Sequence, residues 1–523
     1  MRRGLSMRSV LVVLALACAV SVASADVKLP GVFGDHMVLQ RGMPVPVWGW
    51  AEAGEKVTVT LCGQSKAATA GANGKWSVKL DALEAGGPHV LKVQGKTAVE
   101  VTDVLIGEVW LGSGQSNMAM SVRGCDNFEK EQADANLPGI RMLTVGRKPA
   151  ETPQDNCQGA WQVCTSQTVG GFSATAYFFG RKLHKDLGVP VGLINSSWGG
   201  TPVQSWTALA DQKAEPKLKE LLDSWDQRIA GYDPEKAKAA YEKQLAAWQE
   251  RAKKAKAAGK RPPRRPRPAG DPRKSSHCPA SLYNGMIAPL APLAMRGAIW
   301  YQGESNAGRY NAGLYGMQLE MMIRNWRRLW GQGDFAFEWV QLPNFRTPQK
   351  EPVETSGWVI VQEEMLKTLK VPNTGMAVTI DIGMANNIHP KNKQDVGKRL
   401  ALWALGATYG KDVVRCGPLY KSMTKQGGKI AVRFDHVGGG LVAKGDKLKG
   451  FAVAGADKKF VWADAKIVGE TVVVGSDEVK DPAAVRYAWA TNPACNLYNK
   501  AGLPASPFRT DDWELMPPQP VRK

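Results

Sequence analysis

Four short segments of this chain hold residue types that together perform acyl transfer. They are Gly114-Gln115-Ser116-Asn117-Met118, Asn195-Ser196-Ser197-Trp198-Gly199-Gly200-Thr201, Trp300-Tyr301-Gln302-Gly303-Glu304-Ser305-Asn306 and Ile388-His389-Pro390. A neutral serine hydroxyl is a poor nucleophile at neutral pH and requires a base within hydrogen-bond reach. Histidine suits that task because its proton affinity lies near neutrality. Ser116 is therefore the candidate nucleophile and His389 the candidate base. The tetrahedral oxyanion needs several fixed donors, and losing one typically raises the barrier by about 3–4 kcal/mol. Gln115, Gly199, Gly200, Gln302 and Asn306 are the candidate oxyanion and substrate-binding residues. Backbone amides at Ser116 and at Gly199 or Gly200 would supply two donors, and a side-chain amide from Gln302 or Asn306 a third. Taken singly, each part has a plain structural reading. A glycine pair makes a turn, Trp198 packs, Gln302 and Glu304 pair to hold loops together, and a histidine before proline caps or packs. Their ordered succession at strand ends points to one site.

The elements that must position these residues read as alternating strand and helix from about residue 104. Apolar strand candidates are Val104–Leu111, Val189–Ile194, Ala298–Tyr301, Phe335–Leu342 and Met376–Ile380. Helices are expected over Ala174–Leu187, Ala312–Trp330, Val359–Leu369 and Lys393–Tyr409. Such alternation predicts an α/β domain with a largely parallel sheet covered on both faces, whose ligands collect at the carboxyl ends of the strands. Residues 26–103 read instead as a small β-sandwich, from Pro44–Trp50, Lys56–Leu61, Lys75–Leu80 and His89–Val93 with glycine-rich turns between them. Residues 413–523 read as a second β-rich module. The catalytic α/β domain is thus expected over 104–412. A basic helical insertion interrupts it at about 208–274, with Tyr241, Leu245 and Trp248 as a packing stripe, and the chain returns to the sheet near Ile287–Met295.

Residues 1–25 read as a cleavable leader. Arg2, Arg3 and Arg8 precede an apolar run from Val10 to Val20, and Ala23-Ser24-Ala25 offers a cleavage site after Ala25. No later run is long and apolar enough for a transmembrane helix, so the mature protein is expected to be secreted or periplasmic, without stable membrane insertion. The formal net charge is +20, but Arg251 to Lys274 alone carries eleven basic residues against one acid, Asp271. Export and the lack of a nucleic-acid motif argue against DNA or RNA as partner; a solvated basic linker is the plainer reading. Of the eight cysteines, Cys18 lies in the leader, and Cys157 with Cys164 form the expected local disulfide. No His/Cys cluster suggests zinc, and neither cofactor nor metal is expected. The sequence leaves the oligomeric state open.

With these motifs in view, the chain resembles the sialate O-acetylesterase family of SGNH-type (GDSL-like) hydrolases over nearly the whole mature length. GQSNM looks like the family's nucleophile block, SWGGT its glycine block, QGESN its oxyanion-side block and IHP its histidine block. Leu282–Ile287, Asn392–Gly397 and Ala494–Asn499 are similar to family segments as well. The resemblance implies a flavodoxin-like three-layer α/β core and hydrolysis of acetyl esters on an acetylated carbohydrate, of the 9-O-acetyl sialic acid type. It also implies Ser116 as nucleophile and His389 as base, with no metal. Acetyl xylan or pectin as substrate, or a catalytically silent carbohydrate-binding protein, are the alternatives. SGNH enzymes often carry an aspartate three residues before the histidine. Here that position is Asn386, followed by Asn387. The group orienting His389 is left among Asp381, Glu304, a backbone carbonyl and an asparagine oxygen, any of which could accept the ring proton.

Overall fold

The computed structural model describes residues 26–308 and 312–515, so the leader expected at 1–25 lies outside the described residues. Its organising element is strand β1 (Ala98–Gly114). The first half alternates exposed and buried positions, the pattern of a sheet with one wet face. From Val104 onward every residue is buried, the pattern of a strand covered on both sides. The first half pairs antiparallel with Gly86–Gln94. The second half pairs in parallel with β4 (Val191–Ser197) and β5 (Gly297–Tyr301). The division expected at 103/104 therefore falls inside one unbroken strand.

The remaining strands of this sheet are β2 (Leu137–Thr144), β3 (Trp161–Cys164), β6 (Ala336–Val340) and β7 (Thr374–Ala377), in the order β7-β6-β5-β1-β4-β2-β3. All neighbours run parallel except β3, which lies antiparallel on β2 at the edge. Residues 26–97 add an antiparallel ribbon, Val45–Trp50 with Lys75–Leu80, and extend the large sheet through Lys56–Leu61 and Gln64–Thr69.

Seven α-helices matter to the site and its surroundings: α1 (Ser116–Ala119), α2 (Ala174–Leu187), α3 (Lys219–Ala230), α4 (Pro234–Ala257), α5 (Tyr315–Trp330), α6 (Gly357–Lys367) and α7 (Lys393–Trp403). Side chains alternate along the buried strands, so the two faces carry different partners. Ile299 and Tyr301 join the core of α2 and α7, whereas Ala298 and Trp300 join that of α5 and α6. On the second face Trp206, Trp300, Trp326 and Phe337 meet edge to face with centroids 5.6–6.0 Å apart. Each such pair contributes about 0.5–1.5 kcal/mol beyond burial, and the ladder braces β5 from below.

The buried half of β1 is fixed electrostatically. The fully buried Glu108 carboxylate accepts from Arg41 Nε (2.6 Å), Arg296 Nε (2.8 Å), Gln40 Nε2 (3.0 Å) and Tyr409 OH (3.0 Å). Burial alone would raise its pKa, but the hydrogen bond and charge of Arg296, with Arg41, outweigh it and hold the group below its usual range.

The insertion differs in part from expectation. Helix α4 forms as expected, opened by Asp233, whose carboxylate accepts from the amides of Glu235 and Lys236. Tyr241, Leu245 and Trp248 are half-buried, and Trp248 Nε1 donates to Pro263 O at 2.7 Å, folding the Pro/Arg-rich tail back on the helix. Helix α3 lies within the same helical insertion, ahead of the stretch whose spacing marks α4. The chain does not re-enter the sheet at 287–295. A π-helical turn over Tyr283–Ile287 and a 3-10 turn over Ala288–Leu290 occupy that stretch, and β5 starts at Gly297. Gly285 belongs there because a Cβ would sit 1.8 Å from Lys148 O.

Beyond residue 418 the chain forms antiparallel sheets, one built on Leu419–Gln426 and Lys429–Asp435, another on Phe451–Ala454 and Ala484–Tyr487. The expected Cys157–Cys164 disulfide is not formed; both thiols are free and buried. Cys164 ends β3 and its Sγ donates to Ala135 O at 3.3 Å; its side chain packs in the core of α2 and α7, whereas Cys157 packs in the other core. No helix among the described residues is long and apolar enough to cross a membrane.

Candidate active site

Strand register brings three of the four motifs to one level. Gly114 of β1 faces Ser197 of β4 on one side and Tyr301 of β5 on the other. Gly114 has φ +136°, and a Cβ there would lie 2.2 Å from Tyr301 O, so only glycine lets the strands approach this closely. The Gln115 amide then donates to Tyr301 O at 3.0 Å and the Trp198 amide to Gly114 O at 3.0 Å. Ser116 opens the one-turn helix α1 directly beyond this crossing, half-buried at the carboxyl edge of the sheet. This is where the strand order reverses around β1, the usual place for a ligand in an open α/β sheet.

The fourth motif arrives from the loop after β7. His389 Nε2 lies 2.8 Å from Ser116 Oγ, across 273 residues of sequence. Burial, and secondarily the charge of Lys393, hold the imidazole below its ordinary pKa. A neutral ring with its proton on Nδ1 accepts the serine hydroxyl proton at Nε2, the arrangement a general base needs.

The backbone carrying His389 is held on three successive residues. Asn117 Nδ2 donates to Ile388 O at 3.0 Å, the His389 amide donates to Asn387 Oδ1 at 3.0 Å, and Lys393 Nζ donates to Pro390 O at 2.7 Å. Lys393 Nζ also donates to Asn117 Oδ1 at 2.8 Å, and Asn117 Nδ2 to Glu304 Oε1 at 2.5 Å. Glu304, Asn117 and Lys393 thus form a buried chain beneath the serine–histidine pair. Burial raises the Glu304 carboxyl and lowers Lys393 to about 7. Asn117 and Lys393 were not singled out from sequence. One cue was present: Lys393 is the first residue of α7, where the helix dipole disfavours a cation.

Neither candidate carboxylate hydrogen-bonds to His389. Glu304 reaches Asn117 instead. Asp381 is taken by Arg399, at 2.6 and 2.9 Å, and by Tyr498 OH at 3.0 Å. The pair ties the turn after β7 to α7 and to the C-terminal sheets. Asp381→Asn is expected to cost about 3 kcal/mol of stability, the scale for breaking a buried ion pair. The same variant should keep kcat/KM within about threefold at 25 °C. Thermal unfolding and steady-state kinetics check this, and a large kinetic loss without destabilisation would restore Asp381 to the catalytic set.

The oxyanion candidates divide. Gly199 packs on the serine: a Cβ there would lie 3.3 Å from Ser116 Cβ. Gly200 follows with φ +78° and an exposed backbone. Gln302 and Asn306 are fully buried behind the site and bound internally. Gln302 Nε2 donates to Asn306 Oδ1 (2.8 Å), Thr201 O (3.2 Å) and Gln115 Oε1 (3.3 Å). Asn306 Nδ2 faces Gln204 and Gln318 oxygens at 3.3 and 3.4 Å. Both side chains brace the loops and point no amide at the serine. The buried Gln115 side chain belongs to the same network, its Oε1 accepting from the Ser305 amide at 3.2 Å. A larger cleft of about 670 Å³ lies elsewhere, against Arg296, Ala336 and Asn373 at the amino ends of the strands.

Residues 273–405 match the family described as carbohydrate esterase, sialic acid-specific acetylesterase. The sialate O-acetylesterase of Rattus norvegicus is 31% identical, over 91% of this chain and 92% of that protein. Its Homo sapiens counterpart is 30% identical over 93% of each. The crystal structure of a carbohydrate acetylesterase from Xanthomonas citri is 38% identical with a TM-score of 0.79, covering 93% of this chain and 100% of that one. That likeness extends to the mixed α/β sheet and the C-terminal β-rich sheets together. The chain belongs to the sialate O-acetylesterase family, and is a carboxylic ester hydrolase.

Proposed function

We propose that this enzyme removes O-acetyl groups from carbohydrate, of the 9-O-acetyl sialic acid type, by acyl transfer through Ser116 and His389. The observation that carries the reading is the 2.8 Å approach of Ser116 Oγ to His389 Nε2 at the strand-order reversal. Ser116 Oγ attacks the acetyl carbonyl carbon while His389 Nε2 takes its proton. The carbonyl oxygen becomes the oxyanion, facing the amides of Ser116 and Gly199. Collapse breaks the ester bond, and His389 returns the proton to the departing sugar oxygen. Water then attacks the acetyl-serine with His389 again as base, releasing acetate and regenerating the hydroxyl. Glu304, Asn117 and Lys393 act as positioning residues, holding the histidine loop against α1. Acetate release from acetylated sialosides, beside Ser116→Ala as control, tests the reading; equal release by the variant would sink it.

The order β4-β1-β5-β6-β7 is the 2-1-3-4-5 order of flavodoxin-like sheets, with β2 and β3 added outside β4. It supports an SGNH-type core for 104–412. The ribbon of Val45–Trp50 and Lys75–Leu80, sharing buried valines with Lys56–Leu61, supports the β-sandwich reading of 26–103. The basic-apolar-small pattern of 1–25 supports export to the periplasm or medium.

The Lys393 charge is part of what keeps His389 below its ordinary pKa. Removing it in Lys393→Met should raise the histidine pKa and move the acid limb of the kcat/KM profile to higher pH. A pH–rate profile checks the shift; a limb that stays in place shows that Lys393 has no electrostatic hold on the base.

A further inference from the structure

The basic stretch of the insertion reads from sequence as a solvated linker, yet helix α3 and the loop returning from the insertion close a cavity next to the glycine that packs on the serine. The cavity holds about 500 Å³ and is lined by Gly200 and Ser305 on the core side. Both adjoin the site, since Gly200 follows the glycine packed on Ser116 and the Ser305 amide donates to Gln115. Trp225 and Arg228 of α3 and His277 of the returning loop form the facing wall. His277 Nε2 donates to Gly200 O at 2.9 Å, anchoring that loop to the core. Trp225 is buried with Leu221 and Leu222 against Cys278, so the wall is packed rather than loose.

Arg228 is exposed and its guanidinium carbon lies 4.3 Å from the centroid of the Trp225 ring. Stacking on an indole holds the guanidinium flat and leaves its N–H fork outward, the geometry that receives a carboxylate through two parallel hydrogen bonds. Among the described residues no carboxylate forms an ion pair with it. An acetyl ester with its carbonyl at Ser116 and Gly199 would extend its sugar past Gly200 and Ser305 into this space.

We propose that the cavity between α3 and the Gly200–Ser305 edge is the leaving-group subsite, and that Arg228, stacked on Trp225, selects sugars bearing a carboxylate. This rests on the acyl-transfer reading of Ser116. Two sugar classes share the required chemistry, the nonulosonates and the uronates. The insertion is then a specificity element, and a neutral sugar would leave its cation unanswered.

The test compares kcat/KM for acetate release by the full-length protein on an O-acetylated sialoside, O-acetylated polygalacturonate and acetylated xylan. 4-Nitrophenyl acetate serves as the sugar-free reference. In Arg228→Gln the preference for the acidic ester over xylan is expected to fall about 10- to 100-fold, mostly through KM, the scale of a lost charge-assisted pair. Arg228→Lys should recover part of it. If Arg228→Gln fails to fold, the carboxamide of the acetylated sialoside, offered to the unaltered enzyme, must show the same loss. The two acidic substrates distinguish nonulosonate from uronate. An acidic-over-neutral ratio unchanged by substitution and by the carboxamide, or an unaltered enzyme that favours xylan, overturns the subsite. Failure to cleave 4-nitrophenyl acetate overturns instead the assignment of Ser116.

Discussion

Ser116→Ala should lower kcat/KM for acetate release by at least about 10⁴-fold, the scale on which removal of an activated serine acts in other hydrolases. The substitution removes one oxygen whose hydrogen bond runs to His389 Nε2. No buried acceptor is left orphaned, because the histidine is only half-buried. Folding should therefore be untouched, and unfolding curves of the variant should superpose on those of the unaltered protein. Residual turnover would come from the oxyanion amides alone. Acetate release above a thousandth of the original rate, measured on a preparation free of the unaltered enzyme, would remove Ser116 from the mechanism.

The second large effect is His389→Ala, expected to cost on the order of 10⁴-fold in kcat with KM little changed, because the base acts in the transition state more than in binding. The unaltered enzyme offers a companion test. Burial lowers the His389 pKa below its ordinary 6.5, with the Lys393 charge adding to the shift. The imidazole therefore stays unprotonated, and competent as a base, to lower pH than a free histidine. The acid limb of kcat/KM should have its midpoint below 6.5 and should vanish from the residual activity of the alanine variant. A midpoint above 6.5, or an acid limb retained without the imidazole, would show that another group titrates.

The parts of the site legible in the sequence are those set by local rules. Glycine-flanked polar residues after apolar runs mark strand ends, and register then places Gly114, Ser197 and Tyr301 side by side. Helix α2 runs Ala174–Leu187 as expected because Ser173 caps its first turn and Gly188 ends it at φ +67°. Asp233-Pro234 likewise announces α4. What stayed hidden depends on distant partners. Asp381 looks free in sequence, but Tyr498 and Arg399 claim it. Gln302 and Asn306 look like donors aimed at substrate, yet they sit one layer too deep: Gln302 donates to Asn306, which turns its own amide to Gln204 and Gln318. Strand β2 escaped notice because Pro138, Gly139 and Arg141 break its apolar pattern, while an edge partner, β3, supplies pairing that no local propensity encodes. The polar clamp on the histidine loop is a tertiary arrangement of Glu304, Asn117 and Lys393, and only the lysine's misplacement at a helix start hints at it.

The unbroken course of β1 has a consequence for how the protein can be divided. A chain cut at residue 104 would lose Arg41, one of the two cations that stabilise Glu108, and would strip Leu105–Gly107 of its parallel partner Val38–Gln40. The amino-terminal strands are therefore a structural foundation of the catalytic sheet rather than a detachable appendage, and the nucleophile stands at the far tip of a beam whose other end they hold.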